Sequence, residues 1–245
     1  MDSIIEKEIE EIKEFLECEK KWVFAALMMV GGYLGAFTYT LRGEIFCNAQ
    51  TGNFVLFSMA IGKGQFRHAL YYLIPMSAYL LGTIISEALP LKVKEFHFLR
   101  WDTILVAFEM LVVIILGFIP ESAPYQISQI AINFICSMQY NTFRQAQRIP
   151  MATTFCTNHV RQTGVFLVKW IRHKERKENL QRSLFHLKML CMFVIGGAIS
   201  SYLCQIFLGK AIWGAAVILF VIFINLLHAD LTTEKGLLDR KPSGH

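Results

Sequence analysis

The sequence predicts an all-α integral membrane protein in which six spanning helices and two short broken or re-entrant helices form an inverted repeat. Hydrophobic residues make up 54% of the 245 residues, the mean hydropathy is +0.43, and 20 residues are phenylalanine. A soluble domain of this composition would expose too much apolar surface. The apolar residues fall into eight segments, and the two short segments each follow a polar string. A membrane protein with interrupted helices accounts for both observations.

The chain is predicted to hold one transmembrane domain between two cytoplasmic ends. Residues 1–21 form an amphipathic segment, 22–229 the domain, and 230–245 a tail. Apolar residues recur at helical spacing among Glu and Lys in the first segment, at Ile5, Ile9, Ile12 and Leu16. The net charge of +5 lies mainly at the ends of apolar spans, which is typical of membrane proteins and does not indicate nucleic-acid binding.

Six segments have the roughly 20 apolar residues that a spanning helix needs. They are Trp22–Thr40, Ala69–Leu89, Thr103–Ile119, Tyr125–Phe143, Leu187–Leu208 and Ala211–His228. Two further segments are apolar but short, Gly52–Ile61 and Asn158–Ile171. Whether these two cross the membrane decides the topology.

Charge distribution favours six crossings over eight, because Lys and Arg collect on the cytoplasmic side. If all eight segments crossed, the basic loop with Lys92, Lys94 and Arg100 would lie outside. The loop Pro120–Pro124, which contains neither Lys nor Arg, would lie inside. If the short segments return to the side they entered from, that basic loop and both termini lie inside. We therefore expect two re-entrant helices.

Six crossings imply that the order long, short, long, long occurs twice, in halves of about 22–119 and 125–229. Three crossings per half place the second half upside down relative to the first. Thr40-Leu41-Arg42 and Thr142-Phe143-Arg144 end the first spans, and Gln50-Thr51-Gly52-Asn53 and Cys156-Thr157-Asn158-His159 precede the short helices. Inverted repeats with short, polar-entered helices recur in transporters and channels, with the site at the repeat interface.

Several motifs resemble the YoaK-like family of small bacterial multipass membrane proteins. They are Gly31-Gly32-Tyr-Leu-Gly-Ala36, Leu41-Arg42-Gly43, Thr51-Gly52-Asn53, Met138-Gln139 with Asn141 and Arg144, and Ala152-Thr153-Thr154 with Thr157. The resemblance runs from about Val30 to the last span. It implies a polytopic inner-membrane protein of bacteria with no assigned function. The family usually has Asp where this chain has Gly35, so a carboxylate role there does not transfer.

The polar string before the first short helix is the first candidate binding site, through Asn48, Gln50, Thr51 and Asn53. With the unpaired N–H groups that open the helix, these side chains can hold a small polar or anionic solute. Helix capping by Thr51 or Asn53 is the alternative, and one side chain can serve both purposes.

The second string supplies Thr153, Thr154, Thr157 and Asn158 as candidate binding residues. Arg161 either neutralises an anion or extends to water at the cytoplasmic mouth. His159 lies near Cys156, but two ligands are too few for a metal site, so we expect a hydrogen-bonding histidine.

Five residues are candidates for charge or gating roles: Arg42, Glu109, Gln139, Arg144 and Arg161. Arg42 and Arg144 either anchor span ends or fold back onto the neighbouring broken segment. Glu109 lies inside a span, where a carboxylate is a proton or cation site by default, the alternative being a hydrogen-bonded structural acid. Gln139 either lines a cavity or joins helices. The basic stretch Lys169–Arg182 is predicted to be a solvated cytoplasmic loop that touches anionic lipid.

The sequence favours a transporter or channel for a small polar or anionic solute, with a non-catalytic scaffold or accessory subunit as the alternative and an intramembrane enzyme third. Nucleotide-binding, hydrolase and HExxH motifs are absent, and six cysteines without CxxC spacing indicate neither a disulfide framework nor a metal site. We therefore expect no cofactor, no metal and no catalytic residue. The expected partners are the lipid bilayer and the solute, and a homo-oligomer is left open.

Overall fold

The computed structural model describes residues 15–94, 98–238 and 240–242 and, of 91–94, the backbone alone. Its helices are α1 Lys21–Leu41, α2 Gln50–Gly62, α3 Phe66–Lys94, α4 Trp101–Leu116, α5 Tyr125–Thr142, α6 Thr157–Arg172, α7 Lys177–Phe207 and α8 Trp213–Leu231. A two-residue antiparallel hairpin, β1 Gln145–Ala146 and β2 Ile149–Pro150, separates α5 from α6. The all-helical architecture predicted from the sequence is present, and the hairpin was not predicted.

Helix α7 is longer than the apolar pattern indicates. It begins at Lys177, ten residues before the predicted start at Leu187. Glu178 and Arg182 pair at 2.6 Å one turn apart on its exposed surface, and such pairs support a solvated helix. The basic stretch predicted as a loop is therefore divided between the end of α6 and the start of α7. The predicted amphipathic helix of the first segment lies outside the described residues, except that Leu16 is buried in the core.

The long helices pack in pairs, and two of the pairs approach closely at glycines. Helix α1 packs along α7, α3 along α5 and α4 along α8, while the short helices α2 and α6 pack on α3 and α7. Gly32 of α1 lies so close to the backbone of Phe193 that no Cβ fits between them. Gly82 of α3 lies equally close to the backbone of Phe134 on α5. Small residues let membrane helices approach closely, which is why the backbones meet at these points.

Helices α4 and α8 run antiparallel. The start of each helix is bound by a carboxylate that lies at or just after the end of the other helix. The Asp230 carboxylate at the end of α8 accepts the backbone N–H of Arg100, just before α4, at 3.0 Å. The Glu121 carboxylate after α4 accepts the backbone N–H of Gly209, just before α8, at 2.5 Å. A carboxylate is favourable at a helix start, where N–H groups lack partners.

Helices α1 and α5 also run antiparallel. The side-chain amide of Gln129, early in α5, donates to the carbonyl of Arg42 at the end of α1, at 2.6 Å. The side-chain amide of Gln139, late in α5, lies 3.5 Å from the carbonyl of Leu27, early in α1. The end of one helix therefore lies at the level of the start of the other.

Apolar side chains cover the outside of the molecule and polar side chains lie within it. Leu81, Val194 and Val217, on α3, α7 and α8, are each more than half exposed, whereas Gln129 and Ser137 are fully buried. Within the described residues, three stretches are long and apolar enough to cross a membrane: Lys21–Leu41, Phe66–Pro90 and Lys177–Leu231, the last containing both α7 and α8. These apolar helices indicate a membrane protein, because lipid accepts apolar side chains and excludes unpaired polar groups.

Candidate functional site

The first polar string folds back along α1. The Asn48 side chain is buried and donates from Nδ2 to the carbonyl of Gly31, in the middle of α1, at 2.8 Å. A Cβ added at Gly35 would lie 2.9 Å from the same Asn48 nitrogen. The chain can return to mid-helix depth because α1 carries glycine at both places.

Asn53 closes this turn by binding its backbone. Its Nδ2 donates to the carbonyl of Phe46 at 2.7 Å, and its Oδ1 accepts the N–H of Phe46 at 3.2 Å. Gln50 donates to Asn133 of α5 at 2.8 Å, so the turn lies between α1 and α5. The expected side-chain cap by Thr51 or Asn53 is not formed: α2 begins at Gln50 without one, and Thr51 is exposed.

The second polar string is closed by His159. Its Nε2 donates to the carbonyl of Ala152 at 2.7 Å, so it is a hydrogen-bonding histidine as expected. Thr153 and Thr154 are fully buried, and neither hydroxyl has a hydrogen-bond partner within the described residues. Thr154 lies beside the phenol of Tyr79 on α3. The string thus presents a buried hydroxyl that is free to bind another group.

Farther along this string the candidates are less enclosed. Thr157 is exposed at the start of α6. Arg161 is exposed and donates to the Asn158 side chain at 3.2 Å, one turn earlier. These three residues therefore lie apart from the buried threonines.

Both strings meet at Gly31. The carbonyl of Gly31 accepts from Asn48 of the first string, and a Cβ at Gly31 would lie 2.7 Å from the carbonyl oxygen of Thr153 in the second. The Gln139 amide lies 3.5 Å from that same Thr153 oxygen. The sequence predicted the two strings and Gln139, but it gave Gly31 no role in the site. No sequence signal distinguishes a glycine that admits a loop from one that admits a helix.

Glu109 is a buried carboxyl on the side of α4 that packs against α5. Its side chain is 1% exposed, and its Oε1 has no hydrogen-bond partner within the described residues. It lies near Cys136 of α5, whose sulfur lies 3.8 Å from that of Cys47. Cys47 directly precedes Asn48. The approach of the two thiols, with a buried carboxyl near one of them, was not predicted from the sequence.

Arg42 and Arg144 each pair with an acid. Arg42 is buried and binds Glu121 at 2.8 Å, and it also donates to the carbonyl of Leu41 at 3.2 Å. Arg144 binds Glu87 at 2.5 Å on the exposed surface. Both arginines thus hold the ends of α1 and α5 to acids elsewhere in the chain.

His186 of α7 is a further buried polar residue that the sequence reasoning missed. Its Nδ1 lies 3.1 Å from the Nδ1 of His159, and its Nε2 has no partner within the described residues. Because Nε2 of His159 donates to a carbonyl, a neutral His159 accepts at Nδ1 and His186 donates to it. The pair fixes the second string to α7. Across the described ranges, no three His, Cys, Asp or Glu side chains come together as a metal-binding group.

The comparison with known proteins gives one family. The model of the family described as "Protein of unknown function (DUF1275)" matches residues 23–225. No curated protein and no solved structure matches the chain.

Proposed function

The chain belongs to the DUF1275 family, and we propose that it is a membrane transporter or channel for a small polar or anionic solute. The solute site is the meeting point of the two polar strings at Gly31. Within the family we propose a YoaK-like protein of the bacterial inner membrane, with both termini cytoplasmic. The observation that carries the proposal is that two polar strings, 100 residues apart in sequence, reach one glycine inside an apolar helix.

The first support is a pair of equivalent helix crossings. Gly32 lies ten residues before Arg42, which follows α1, and Phe134 lies ten residues before Arg144, which follows α5. Gly82 and Phe193 each lie sixteen residues after the first residue of their helix, α3 and α7 respectively. Gly32 faces Phe193 and Gly82 faces Phe134. The pair α1–α7 and the pair α5–α3 therefore have a glycine–phenylalanine contact at equivalent positions, with the two residue types exchanged between the helices. A repeat of 22–119 in 125–229 accounts for this pairing.

The second support is the way each half closes its polar string. Asn53 binds the carbonyl of Phe46, and His159 binds that of Ala152, in each case seven residues earlier. Asn53 and His159 also take the last place in the four-residue strings Gln50–Asn53 and Cys156–His159, at the starts of the short helices. The two halves thus use different side chains for one task.

Helix directions favour six crossings over eight. If every helix crossed, α1 and α5 would be four crossings apart and would run parallel, and so would α4 and α8. Both pairs are antiparallel. Three crossings per half, with α2 and α6 returning to the side they entered from, give the observed directions and make the repeat inverted. Trp101 and Trp213, the first residues of α4 and α8, then mark opposite faces.

The chemistry of the meeting point suits a small polar or anionic ligand. The Asn48 amide and the free Thr153 hydroxyl are donors buried among apolar helices, and the start of α2 adds partial positive charge beside Asn48. Broken helices of inverted repeats are where transporters bind their solutes. Because these groups are buried, solute entry requires one string to move away from Gly31.

One observation favours the alternative, a non-catalytic scaffold. The amides of Asn48, Gln50 and Asn53 all have protein partners, as structural polar groups in a membrane do. A scaffold needs no free donor, however, and the Thr153 hydroxyl is one. A measurement of solute transport therefore distinguishes a transporter or channel from a scaffold.

The test is flux through purified protein in liposomes, measured by stopped-flow light scattering with urea, glycerol, glycine and nitrate, the last with potassium and valinomycin. We expect at least one of these probes to move faster than in empty liposomes. Thr153→Val should slow that probe about five-fold, since a lost hydrogen bond contributes about 1 kcal/mol. Thr83→Val is the matched control, because the Thr83 hydroxyl binds its own helix at Tyr79. If no probe moves faster than in empty liposomes, the scaffold is the better interpretation.

A further inference from the structure

Glu109 is the buried carboxyl that the solute site does not use. It lies in the middle of α4, which packs on α8 and α5. We propose that Glu109 binds a proton and couples its movement to that of the solute. This inference rests on the proposed transport function and adds the coupling ion to it.

Among the described residues, none near Glu109 offers a countercharge. The buried face of α8 is apolar from Ala215 to Leu226. On the side of α5, the titratable groups are the Cys136 thiol and, behind it, the Cys47 thiol, and the phenol of Tyr79 lies near the same thiols with that of Tyr140 beside it. No charged side chain of the described ranges forms a salt bridge with Glu109, and its Oε1 has no hydrogen-bond partner among them. An ionised carboxylate in such a place would cost several kcal/mol, so the resting state holds the proton.

A short path joins this carboxyl to the first polar string. Glu109 lies near Cys136 on the helix that packs against α4, the Cys136 and Cys47 sulfurs are 3.8 Å apart, and Asn48 follows Cys47 in the chain. When Asn48 leaves Gly31 to admit a solute, water reaches the thiols and then the carboxyl. Hydration stabilises the carboxylate, so the same opening that exchanges solute releases the proton. Only the O–H bond of Glu109 forms and breaks, with water on one side as the proton source and water on the other as the acceptor.

The protonation state is tested without any solute. Dicyclohexylcarbodiimide modifies protonated carboxyls in apolar surroundings, and mass spectrometry locates the adduct. We expect Glu109 of the wild-type protein in liposomes to be modified at pH 7, and at least ten-fold less at strongly alkaline pH. Glu121, exposed and paired with Arg42, is the internal control and should remain unmodified. If Glu109 is unmodified at pH 7 in the folded protein but modified after unfolding at low pH, it does not hold a proton and the proposal is overturned.

Coupling is tested with the probe that the wild-type protein moves, among urea, glycerol, glycine and nitrate, in liposomes loaded with a pH-sensitive dye. We expect a probe gradient to drive a change of internal pH, and a pH gradient to drive the probe. Glu109→Gln should keep downhill probe flux and lose proton movement at least ten-fold. Proton movement that is unchanged in Glu109→Gln, or probe flux without protons in the wild type, overturns the coupling alone. Absence of probe flux in the wild type overturns the proposed function, whatever the labelling shows.

Discussion

At the scale of single residues, the candidate site depends on a residue without a side chain. Gly31 looks like a packing glycine because Gly32 is next to it and Gly35 is one turn on, and small residues of this kind join membrane helices. Of these three glycines, only Gly32 packs against the backbone of α7, while Gly31 and Gly35 make room for residues of the polar strings. Neighbouring glycines on one helix face different partners, and a linear pattern cannot assign them.

Gly31→Ala tests this assignment. The new Cβ would lie 2.7 Å from the Thr153 carbonyl oxygen and 3.1 Å from Thr154 Cα, so backbone must shift. We expect a loss of about 1–3 kcal/mol in the free energy of unfolding, as for other overpacked positions, and slower probe flux. Unfolding in detergent measures the first, and liposomes the second. Gly197→Ala is the control, since its Cβ would meet nothing closer than the Gly32 oxygen at 3.4 Å. Equal effects of the two changes would contradict the close approach at Gly31.

Arg42 and Glu121 give the protein a dependence on acid pH. The hydrogen bond from Arg42 holds the pKa of Glu121 below its ordinary value, near 4.3 for a glutamate in a peptide. A carboxyl with a lowered pKa stabilises the fold above its unfolded pKa, and this stabilisation is lost as pH falls through the folded pKa. We expect the unfolding temperature in detergent to fall from about pH 5 downward, and less steeply in Glu121→Gln. That variant should also lose about 1 kcal/mol of the free energy of unfolding at neutral pH, the value of a partly exposed pair.

Glu178→Gln is the control: because Glu178 lies in an exposed pair, this variant should follow the wild-type profile of unfolding temperature against pH. A parallel profile in Glu121→Gln would show that another group sets the acid limit.

At the scale of elements, the first polar string is held against α5 through Cys47, which directly precedes the string, and through Gln50. Their partners are Cys136 and Asn133 of α5, one turn apart. A string that moves during transport must break both contacts. A disulfide between the two thiols would prevent this movement.

Oxidation therefore provides a reversible lock. With the other four cysteines replaced by serine, diamide should join Cys47 to Cys136, since their sulfurs are 3.8 Å apart and need only a small shift to bond. We expect probe flux to fall at least ten-fold and to return after reduction with dithiothreitol. Mass spectrometry of the digested protein detects the bond, and Cys47→Ser is the control that diamide should not inhibit. Flux that continues through protein shown to be cross-linked would mean that this string does not move.

The boundaries of the helices and the hairpin show which elements the sequence predicts and which it misses. Apolar runs place α1 and α5 to within about two residues, because burial in lipid and helix length decide both. The start of α7 is missed by ten residues, because the charged turns from Lys177 lie outside the apolar stretch and are held by pairs such as Glu178 with Arg182. The hairpin at 145–150 is missed too: its turn residues Gln147 and Arg148 have positive φ, which neither residue type signals.

At the scale of the whole molecule, the polar strings are visible in sequence because polar residues interrupt apolar ones. Their convergence is not, since it depends on α1 and α5 lying antiparallel with Gly31 between the strings. The position of Glu109 near the Cys136 thiol also depends on which helix face meets which. Sequence thus predicts the parts of the site, and three-dimensional packing decides their assembly.

The six-crossing topology makes a prediction about faces. Single cysteines at Lys63, Lys174, Ser122 and Gly236, all on exposed or loop positions, are introduced into protein whose native cysteines are replaced by alanine. With a membrane-impermeant maleimide on intact spheroplasts, Lys63→Cys should label together with Ser122→Cys, because α2 returns to the face that α1 reached. Lys174→Cys and Gly236→Cys should label only after the membrane is permeabilised, because α6 returns to the face of both termini. Labelling in detergent checks that each cysteine is reactive. If Lys63→Cys labels with the inner pair, α2 crosses the membrane, the halves are not inverted, and the two polar strings enter from one side.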